Sequence, residues 1–176
     1  MLTAKNAHLA AKIRDIPDYP KPGVAFKDIT PLMQDADALR DCIDQIAHHF
    51  AASRIHHVVG IESRGFIFGS TLAYVLKAGF IPVRKPGKLP AATHRCEYAL
   101  EYGTDALEIH CDALNPGDRV LIIDDVLATG GTASAAVELV RKLGGEVVGL
   151  GFLIELSFLD GRNKLSNLDV HSIVRY

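Results

Sequence analysis

One stretch of this sequence constrains its fold more than any other: a continuous apolar run that ends in two acidic residues and leads into a glycine-rich loop. Residues 120–123 are all aliphatic and are followed by Asp124 and Asp125. The loop behind them contains Thr129-Gly-Gly-Thr132, and residues 132–143 then show the apolar spacing of a helix. A buried strand that passes through a loop into a helix is typical of a parallel α/β fold.

Strand and helix patterns alternate along the rest of the chain. Short apolar runs predict strands, and apolar residues three or four positions apart predict helices. The predicted strands are residues 57–61, 80–84, 120–125 and 146–156, and the predicted helices are residues 9–16, 35–50, 66–77 and 132–143. Gly79 is predicted to close the helix at residues 66–77. Because parallel strands are joined by crossover connections, we expect a mainly parallel central sheet with helices on both faces.

Three further segments are predicted to lie outside this sheet. Residues 17–23 contain three prolines and are expected to form an extended arm or hood. Residues 85–92 contain two prolines, a glycine and two lysines, which favours a mobile loop. Residues 97–102 and 106–110 alternate around a predicted turn at 103–105, as the strands of a β-hairpin do.

Composition limits the chain to a few functional classes. Its 176 residues are 48% hydrophobic and 23% charged, which suits a single domain with one core. The net charge of -2 offers no broad basic surface to a nucleic-acid backbone, so a small phosphorylated ligand fits better than DNA or RNA. The odd number of cysteines (Cys42, Cys96 and Cys111) favours reduced thiols over a disulfide framework. With no signal peptide and no apolar run of the roughly 18 residues that span a bilayer, we expect a cytoplasmic protein without membrane contact.

The acidic pair and the glycine-rich loop have opposite charge preferences. Asp124 and Asp125 can accept hydrogen bonds or hold a cation, whereas the small residues from Ala128 to Thr132 let backbone N–H groups surround an anion at the start of a helix. A sugar phosphate satisfies both, because its hydroxyls would meet the carboxylates and its phosphate the loop. The loop is not a P-loop, since no lysine follows its two glycines. Simple helix capping is the alternative role for these residues.

A second polar loop, Glu62-Ser63-Arg64-Gly65, follows the predicted strand 57–61. Its arginine carries a planar fork of donors that suits a phosphate or a pyrophosphate. A surface ion pair is the alternative role for an arginine at such a position. Ligands of open α/β sheets bind beyond the carboxyl ends of the strands, so both polar loops are candidates for the ligand site.

Residues 120–132 resemble the phosphoribosyl pyrophosphate (PRPP) signature of type I phosphoribosyltransferases. The resemblance implies the fold of that family, with a small hood and a mobile loop. The two carboxylates would contact the ribose hydroxyls, and the glycine-rich loop would hold the 5′-phosphate. In such proteins the loop at Ser63 and Arg64 binds pyrophosphate, and a non-proline cis peptide is expected at Glu62–Ser63. The implied ribose-phosphate contacts are Asp124, Asp125, Ala128, Thr129, Gly130, Gly131 and Thr132.

Residues 19–31, 84–90 and 100–103 resemble, more narrowly, the adenine phosphoribosyltransferase branch of that family. The likeness then covers nearly the whole chain as one domain, with residues 1–34 as the hood beside the base. The branch often has arginine where this chain has Lys27, a change that matters little if the contact is through the main chain. The implied adenine contacts are Ala25, Phe26, Lys27 and Leu156.

The reaction that this resemblance implies is the transfer of the phosphoribosyl group from PRPP to adenine, which gives AMP and pyrophosphate. Glu101 would be the general acid or base near the purine, and the acidic pair would bind substrate rather than act as a nucleophile. Mg²⁺ is expected to come with PRPP and not in a direct metal site, and closure of residues 85–99 would exclude water. Relatives are usually homodimers. The implied pyrophosphate contacts are Ser63, Arg64, Arg84, Lys85, Lys88 and Tyr102.

Three other functions stay open at the level of the sequence. The first is phosphoribosyl transfer to another nucleobase, since base choice depends on a few hydrogen bonds. The second is a PRPP-sensing regulator that has the fold without the catalysis, although no basic patch or helix-turn-helix extension is visible. The third is a phosphoacceptor domain that uses Asp124 or Asp125, which would give the glycines of the loop no role.

Overall fold

The centre of the molecule is a five-stranded parallel sheet, seen in a computed structural model that describes residues 6–99 and 104–176. The strands are β1 (Arg14–Ile16), β2 (Phe26–Asp28), β3 (His57–Ile61), β4 (Gly79–Val83), β5 (Thr93–Ala99), β6 (Thr104–His110), β7 (Arg119–Leu127), β8 (Glu146–Glu155) and β9 (Val170–Arg175). The helices are α1 (Ala7–Ala10), α2 (Thr30–Gln34), α3 (Ala36–His49), α4 (Gly65–Leu76) and α5 (Gly131–Lys142). The central order is β4-β3-β7-β8-β9 with every neighbouring pair parallel, which confirms the predicted α/β fold.

The helices cover both faces of this sheet. α3 and α4 pack on the face that includes Val58 and Leu121, and α5 packs on the face that includes Val59 and Val120. Consecutive strand residues point to opposite faces, so these buried runs are apolar at every position. α4 joins β3 to β4, and α5 joins β7 to β8 in the opposite direction across the sheet. Crossover connections between parallel strands share one handedness. Because the connections through α4 and α5 run in opposite directions across the sheet, the two helices lie on opposite faces, and the direction changes between β3 and β7.

Two short antiparallel sheets flank the central one. β1 pairs with β2, with Ile16 opposite Phe26, and together with the proline-rich residues between them they form the N-terminal hood. β5 and β6 form the predicted hairpin. The buried Leu107 and Ile109 of β6 join the core on the α5 face, so the hairpin is part of the main fold.

Three predictions about element ends are wrong. Residues 14–16 form β1 rather than the end of a helix, because pairing with β2 satisfies their backbone groups. Gly79 does not close α4, since Lys77 takes the left-handed conformation there, with a φ of 56°, and Gly79 begins β4. The predicted hairpin turn at 103–105 is misplaced, because its last two residues already pair within β6.

Some elements do not follow from local patterns at all. β2 has three residues and α2 has five, which is too short for a periodic pattern to be visible. Residues 93–96, predicted only as part of a closing loop, extend the predicted hairpin strand, so that β5 begins at Thr93 and pairs with β6 along its whole length. β9 was not predicted either, and its place at the edge of the sheet depends on its pairing with β8.

Candidate active site

The predicted ligand-binding segments lie beyond the carboxyl ends of four neighbouring strands. Residues 62–64 follow β3 and residues 84–88 follow β4. Residues 128–132 follow β7, and Leu156 follows β8. Because these strands are adjacent and parallel, their carboxyl ends share one edge of the sheet. The fold therefore brings together segments that are far apart in the sequence.

The segment from Ala128 to Thr132, named the phosphate loop from here on, turns β7 into α5. Gly130 has the left-handed conformation, with a φ of 77°, and directly precedes the first residue of α5. Thr132 lies within the helix, so the alternative in which it serves only as the N-cap is wrong; the position before the helix needs a residue without a Cβ atom. The first N–H groups of a helix have no partner within it and carry the positive end of the helix dipole. The phosphate loop can thus bind a phosphate through its backbone.

The acidic pair near the end of β7 is joined to the loop after β3. Asp125 is 5% exposed, and its carboxylate accepts a hydrogen bond from Nε of Arg64 in an ion pair. Asp124 is half-buried and accepts a hydrogen bond from the backbone N–H of Asp125 at 2.9 Å. Burial and the neighbouring charge of Asp125 raise the pKa of Asp124 above its ordinary value. A cation or a set of hydroxyl donors beside the pair would stabilise the charged carboxylates.

The Glu62–Ser63 peptide bond is cis, as predicted, and the Glu62 side chain lies at the centre of a group of positive charges. Its carboxylate accepts hydrogen bonds of 3.0 Å from Nη2 of Arg84, from Nζ of Lys88 and from the backbone N–H of Lys85. Burial by itself would raise the pKa of Glu62, but these hydrogen bonds and charges lower it to about 2. Glu62 is therefore ionised at neutral pH. It gathers three of the predicted pyrophosphate contacts around one carboxylate.

The side chain of Lys85 has its own carboxylate partner. Its ammonium forms an ion pair with Asp105 of β6 and donates to the Tyr98 hydroxyl at 2.9 Å. Burial would lower the pKa of Lys85, but Asp105 and Tyr98 raise it. Burial would likewise raise the pKa of Asp105, and the contact with Lys85 lowers it. Arg84, Lys85 and Lys88 are thus all paired with carboxylates of the protein itself.

The hood brings an aromatic ring to the edge of this site. The ring of Phe26 lies 5.4 Å from Cζ of Arg64 and meets the ring of Tyr19 edge-on, with 5.3 Å between the centroids. Arg64 therefore contacts both a predicted adenine residue and, through its ion pair, the predicted ribose residue Asp125. This arrangement links the base side of the site to the sugar side through one guanidinium group.

The other predicted adenine residues lie around the C-terminus of the chain. The ammonium of Lys27 pairs with Asp15 and lies 3.9 Å from the centroid of the Tyr176 ring. The residue after Leu156 donates its N–H to the Tyr176 carbonyl at 2.9 Å, which ties the end of β8 to the same place. Ala25 is exposed directly before β2. The Lys27 side chain is thus engaged within the protein, and its main chain belongs to β2.

Glu101 and Tyr102 lie within residues 100–103, outside the residues that the structure describes. Their roles therefore stay predictions. Two further residues of the site, Glu62 and Asp105, were not predicted to act there. The acid directly before Ser63 in a strand-end loop is a signal that could have identified Glu62. Asp105 has no comparable signal, because its partner Lys85 comes from another strand end.

Metal-binding clusters and membrane-spanning helices are both absent from the described residues. Within residues 6–99 and 104–176, no group of three or more His, Cys, Asp or Glu side chains could hold a metal ion. In the same ranges, no helix has both the length and the apolar character needed to cross a membrane. The three cysteines are free thiols, and burial raises the pKa of Cys42 to about 12 and that of Cys96 to about 11.

Known proteins resemble this chain over nearly its whole length. Residues 26–171 match the family described as Phosphoribosyl transferase domain. The adenine phosphoribosyltransferase of Acaryochloris marina is 59% identical over 168 residues, which cover 96% of this chain and 99% of that protein. The crystal structure of the adenine phosphoribosyltransferase from Rhodothermus marinus matches with a TM-score of 0.93 and 54% identity over 97% of both chains. The enzyme from Saccharomyces cerevisiae, complexed with an imino-altritol bisphosphate and adenine, matches with a TM-score of 0.90 and 40% identity over 95% of this chain and 97% of that one.

Proposed function

The chain belongs to the adenine phosphoribosyltransferases, within the wider phosphoribosyltransferase family, and from this premise we propose how its residues act. The enzyme transfers the phosphoribosyl group of PRPP to adenine and gives AMP and pyrophosphate, a reaction of purine salvage. The observation that carries the site assignment is the ion pair between Arg64 and Asp125. It connects the predicted pyrophosphate loop with the predicted ribose site, at the point where the strand order of the sheet switches.

We assign the ribose 5-phosphate half of PRPP to the end of β7. The phosphate loop offers backbone N–H groups at the N-terminus of α5, and Asp124 and Asp125 offer oxygens that accept hydrogen bonds from ribose hydroxyls. Since Arg64 holds Asp125 in the free protein, ribose binding exchanges one partner of this carboxylate for another. The carboxylates also offset the positive charge that develops on the ribose ring as its bond to pyrophosphate breaks.

We assign the pyrophosphate half to the ends of β3 and β4. Positive side chains there stabilise the negative charge that grows on the leaving pyrophosphate. Because Arg84, Lys85 and Lys88 have carboxylate partners in the free protein, each has to transfer to a pyrophosphate oxygen. The proposed contacts are Ser63, Arg64, Arg84, Lys85, Lys88 and Tyr102.

Adenine is assigned to the space between the hood and the end of β8. Phe26 and Leu156 would pack against the purine ring, and the backbone around Ala25 and Lys27 would contact its polar edge. The engagement of the Lys27 ammonium by other side chains supports a main-chain role for this residue. Glu101 would exchange a proton with a ring nitrogen as the base attacks the anomeric carbon.

Mg²⁺ is proposed to enter with PRPP, bound largely by the oxygens of the substrate. The chemistry at the end of β7 fits this proposal, because Asp124 and Asp125 supply the hard oxygen donors that Mg²⁺ prefers. Burial and the Asp125 charge raise the pKa of Asp124, and a nearby cation would lower this pKa by stabilising the charged carboxylate. When bound, the ion neutralises charge on the pyrophosphate oxygens.

A homodimer in the cytoplasm is proposed as the working form of the enzyme. α4 exposes Ile67, Tyr74 and Val75; Tyr74 and Val75 follow Ile67 by seven and eight positions, which puts them on the same side of the helix, and Tyr74 is 86% exposed. An exposed apolar stripe of this kind supports contact with another protein surface. Light scattering is expected to give a dimer for the wild type and a monomer for Tyr74→Asp; a monomeric wild type would contradict the proposal. The free thiols are consistent with a reducing compartment.

A transfer assay with PRPP, Mg²⁺ and each nucleobase in turn tests the function. We expect AMP and pyrophosphate from adenine and no nucleotide from the other bases. Transfer to hypoxanthine without transfer to adenine would assign the enzyme to a different base. Binding of PRPP without transfer to any base would favour a PRPP-sensing regulator.

The acid or base role of Glu101 is tested by Glu101→Gln. Turnover is expected to fall about 100-fold, since general acid–base catalysis contributes at least that much, while the affinity for PRPP changes little. Glu97→Gln in β5 is the control, because Glu97 is an exposed carboxylate paired with Arg95. Unchanged turnover in Glu101→Gln would exclude the role.

A further inference from the structure

The phosphate loop is in direct backbone contact with the turn that follows β8. This turn contains two short 3-10 helices, Ser157–Leu159 and Gly161–Leu165. A Cβ atom on Gly161 would lie 2.8 Å from the backbone nitrogen of Gly130 and closer still to the carbonyl oxygen of Ala128. A Cβ atom on Gly130 would in turn clash with the carbonyl oxygen of Gly161. Because the two backbones touch, the position of the turn determines where the phosphate loop can lie.

An ion pair with a buried carboxylate fixes the position of this turn. Arg162, next to Gly161, donates from Nε at 2.9 Å and from Nη2 at 2.5 Å to the two carboxylate oxygens of Glu155. Glu155 ends β8 and is 5% exposed; burial would raise its pKa, but the hydrogen bonds from Arg162 and Ser172 lower it, so it stays ionised. Arg162 also donates from Nη1 to the Val170 carbonyl of β9 at 2.8 Å. One guanidinium group thus ties the turn to two strands.

We propose that Arg162 is a positioning residue for the 5′-phosphate, because through Gly161 it holds the phosphate loop where its N–H groups can meet the ligand. The inference rests on the proposed function, which assigns the 5′-phosphate to this loop. Hydrogen bonds weaken steeply as their length and angle depart from the optimum. A displacement of about 1 Å in a binding group can cost about 100-fold in activity, so a small shift of the turn is enough to matter.

Arg175 supplies a matched control within the same cluster. Its Nε lies 3.2 Å from Oε2 of Glu155, but it belongs to β9 and not to the turn. Arg162→Gln and Arg175→Gln each remove one cation from the same buried carboxylate, and Arg162→Gln alone releases the turn. Arg162→Lys keeps a charge beside Glu155 and loses the bidentate fork. This milder variant keeps the test usable if Arg162→Gln does not fold.

Calorimetric titrations with AMP, with adenine and with pyrophosphate plus Mg²⁺ measure the parts of the site separately. Arg162→Gln is expected to weaken AMP binding about tenfold and Arg162→Lys about threefold, while the affinities for adenine and pyrophosphate change by less than about twofold. Arg175→Gln is expected to leave all three affinities within about twofold of the wild type. Thermal melts of the same variants record the loss of stability.

The positioning role is overturned if all three affinities fall equally in Arg162→Gln, or if Arg175→Gln loses as much AMP affinity as Arg162→Gln. Gly130→Ala, which distorts the backbone of the phosphate loop itself, separates this inference from the proposed function. If Gly130→Ala weakens AMP binding and Arg162→Gln does not, the positioning role alone is wrong. If neither variant weakens it, the 5′-phosphate does not bind at this loop, and the site assignment is wrong as well.

Discussion

The two regions that are proposed to hold the two ends of PRPP are built in different ways. The phosphate loop contains no charged side chain and offers backbone N–H groups at the start of α5. The pyrophosphate region depends on Arg84, Lys85 and Lys88, which are paired with carboxylates in the free protein. Contact with Gly161 fixes the loop, whereas the long cationic side chains can change partners by rotation about their bonds.

This difference separates two ways of binding an anion. A backbone site has its donors in place before the ligand arrives, so a distortion of the chain is what weakens it. A side-chain site first has to release its own carboxylates. Its binding free energy is therefore the difference between the ion pairs formed with the ligand and the ion pairs lost within the protein. Substitutions should therefore affect the phosphate loop through geometry and the pyrophosphate region through charge.

The largest effect is expected from Gly130→Ala. Alanine would have to adopt the left-handed conformation and place its Cβ atom against the carbonyl oxygen of Gly161, so kcat/KM for PRPP should fall about 100-fold or more. Gly117→Ala is the matched control, because Gly117 has a φ of 86° and a Cβ atom there would meet no described atom within 4 Å. It should lower the melting temperature and leave kcat/KM within about twofold. Equal kinetic losses in the two variants would contradict the geometric account of the loop.

A smaller and more selective effect is expected from Arg84→Lys. Arg84 has a planar fork of donors, which reaches Glu62 and the Lys88 carbonyl, each at 3.0 Å; the single ammonium of lysine keeps the charge but cannot bind two pyrophosphate oxygens side by side as the fork can. Calorimetry should show pyrophosphate binding weakened about tenfold and AMP binding changed by less than about twofold. Arg95→Lys is the control, since its partner Glu97 is exposed. If AMP affinity fell as much as pyrophosphate affinity, the two regions would not be independent.

The competition between carboxylates and ligand predicts that Asp105→Asn improves pyrophosphate binding. This change releases the Lys85 ammonium from its internal partner while leaving the Tyr98 hydroxyl in place. The dissociation constant for pyrophosphate is expected to fall about threefold, a modest effect because the pair is partly exposed and screened by water. Weaker binding in Asp105→Asn would mean that Asp105 orients Lys85 rather than competing for it.

The smallest effect concerns the pH dependence of stability. The pKa of Glu62 is about 2 in the folded protein, below its ordinary value of 4.5, so the ion pairs of Glu62 contribute fully above the ordinary value and are lost as the pH falls toward 2. The melting-temperature difference between wild type and Glu62→Gln should be constant from about pH 5 to about pH 7 and shrink at lower pH. A difference that grows on acidification would show that Glu62 is not the ionised partner in this cluster.

Local sequence patterns predict the centre of this fold better than its site. The mostly apolar residues 57–61 and the aliphatic residues 120–123 indicate strands that are buried on both faces, and both strands lie inside the sheet and not at its edges. Thr132 is a good N-cap by residue type, yet Gly130 takes that position because a backbone from a later turn lies against it. Spacing along the sequence could not predict the ion pair between Asp125 and Arg64, because Arg64 lies in the loop that follows a different strand, β3.

The single carboxylate of Glu62 holds two cations and an amide, and this should make the pyrophosphate region selective among anions. An incoming anion has to compensate for several lost contacts at once. Inorganic phosphate has one phosphorus centre and can replace few of them, whereas pyrophosphate spans a longer distance and carries more charge. Inhibition by inorganic phosphate is therefore expected to be weak in the wild type and stronger in Glu62→Gln. An acidic residue in an anion site can thus exclude the abundant small competitor and reserve the cations for the intended leaving group.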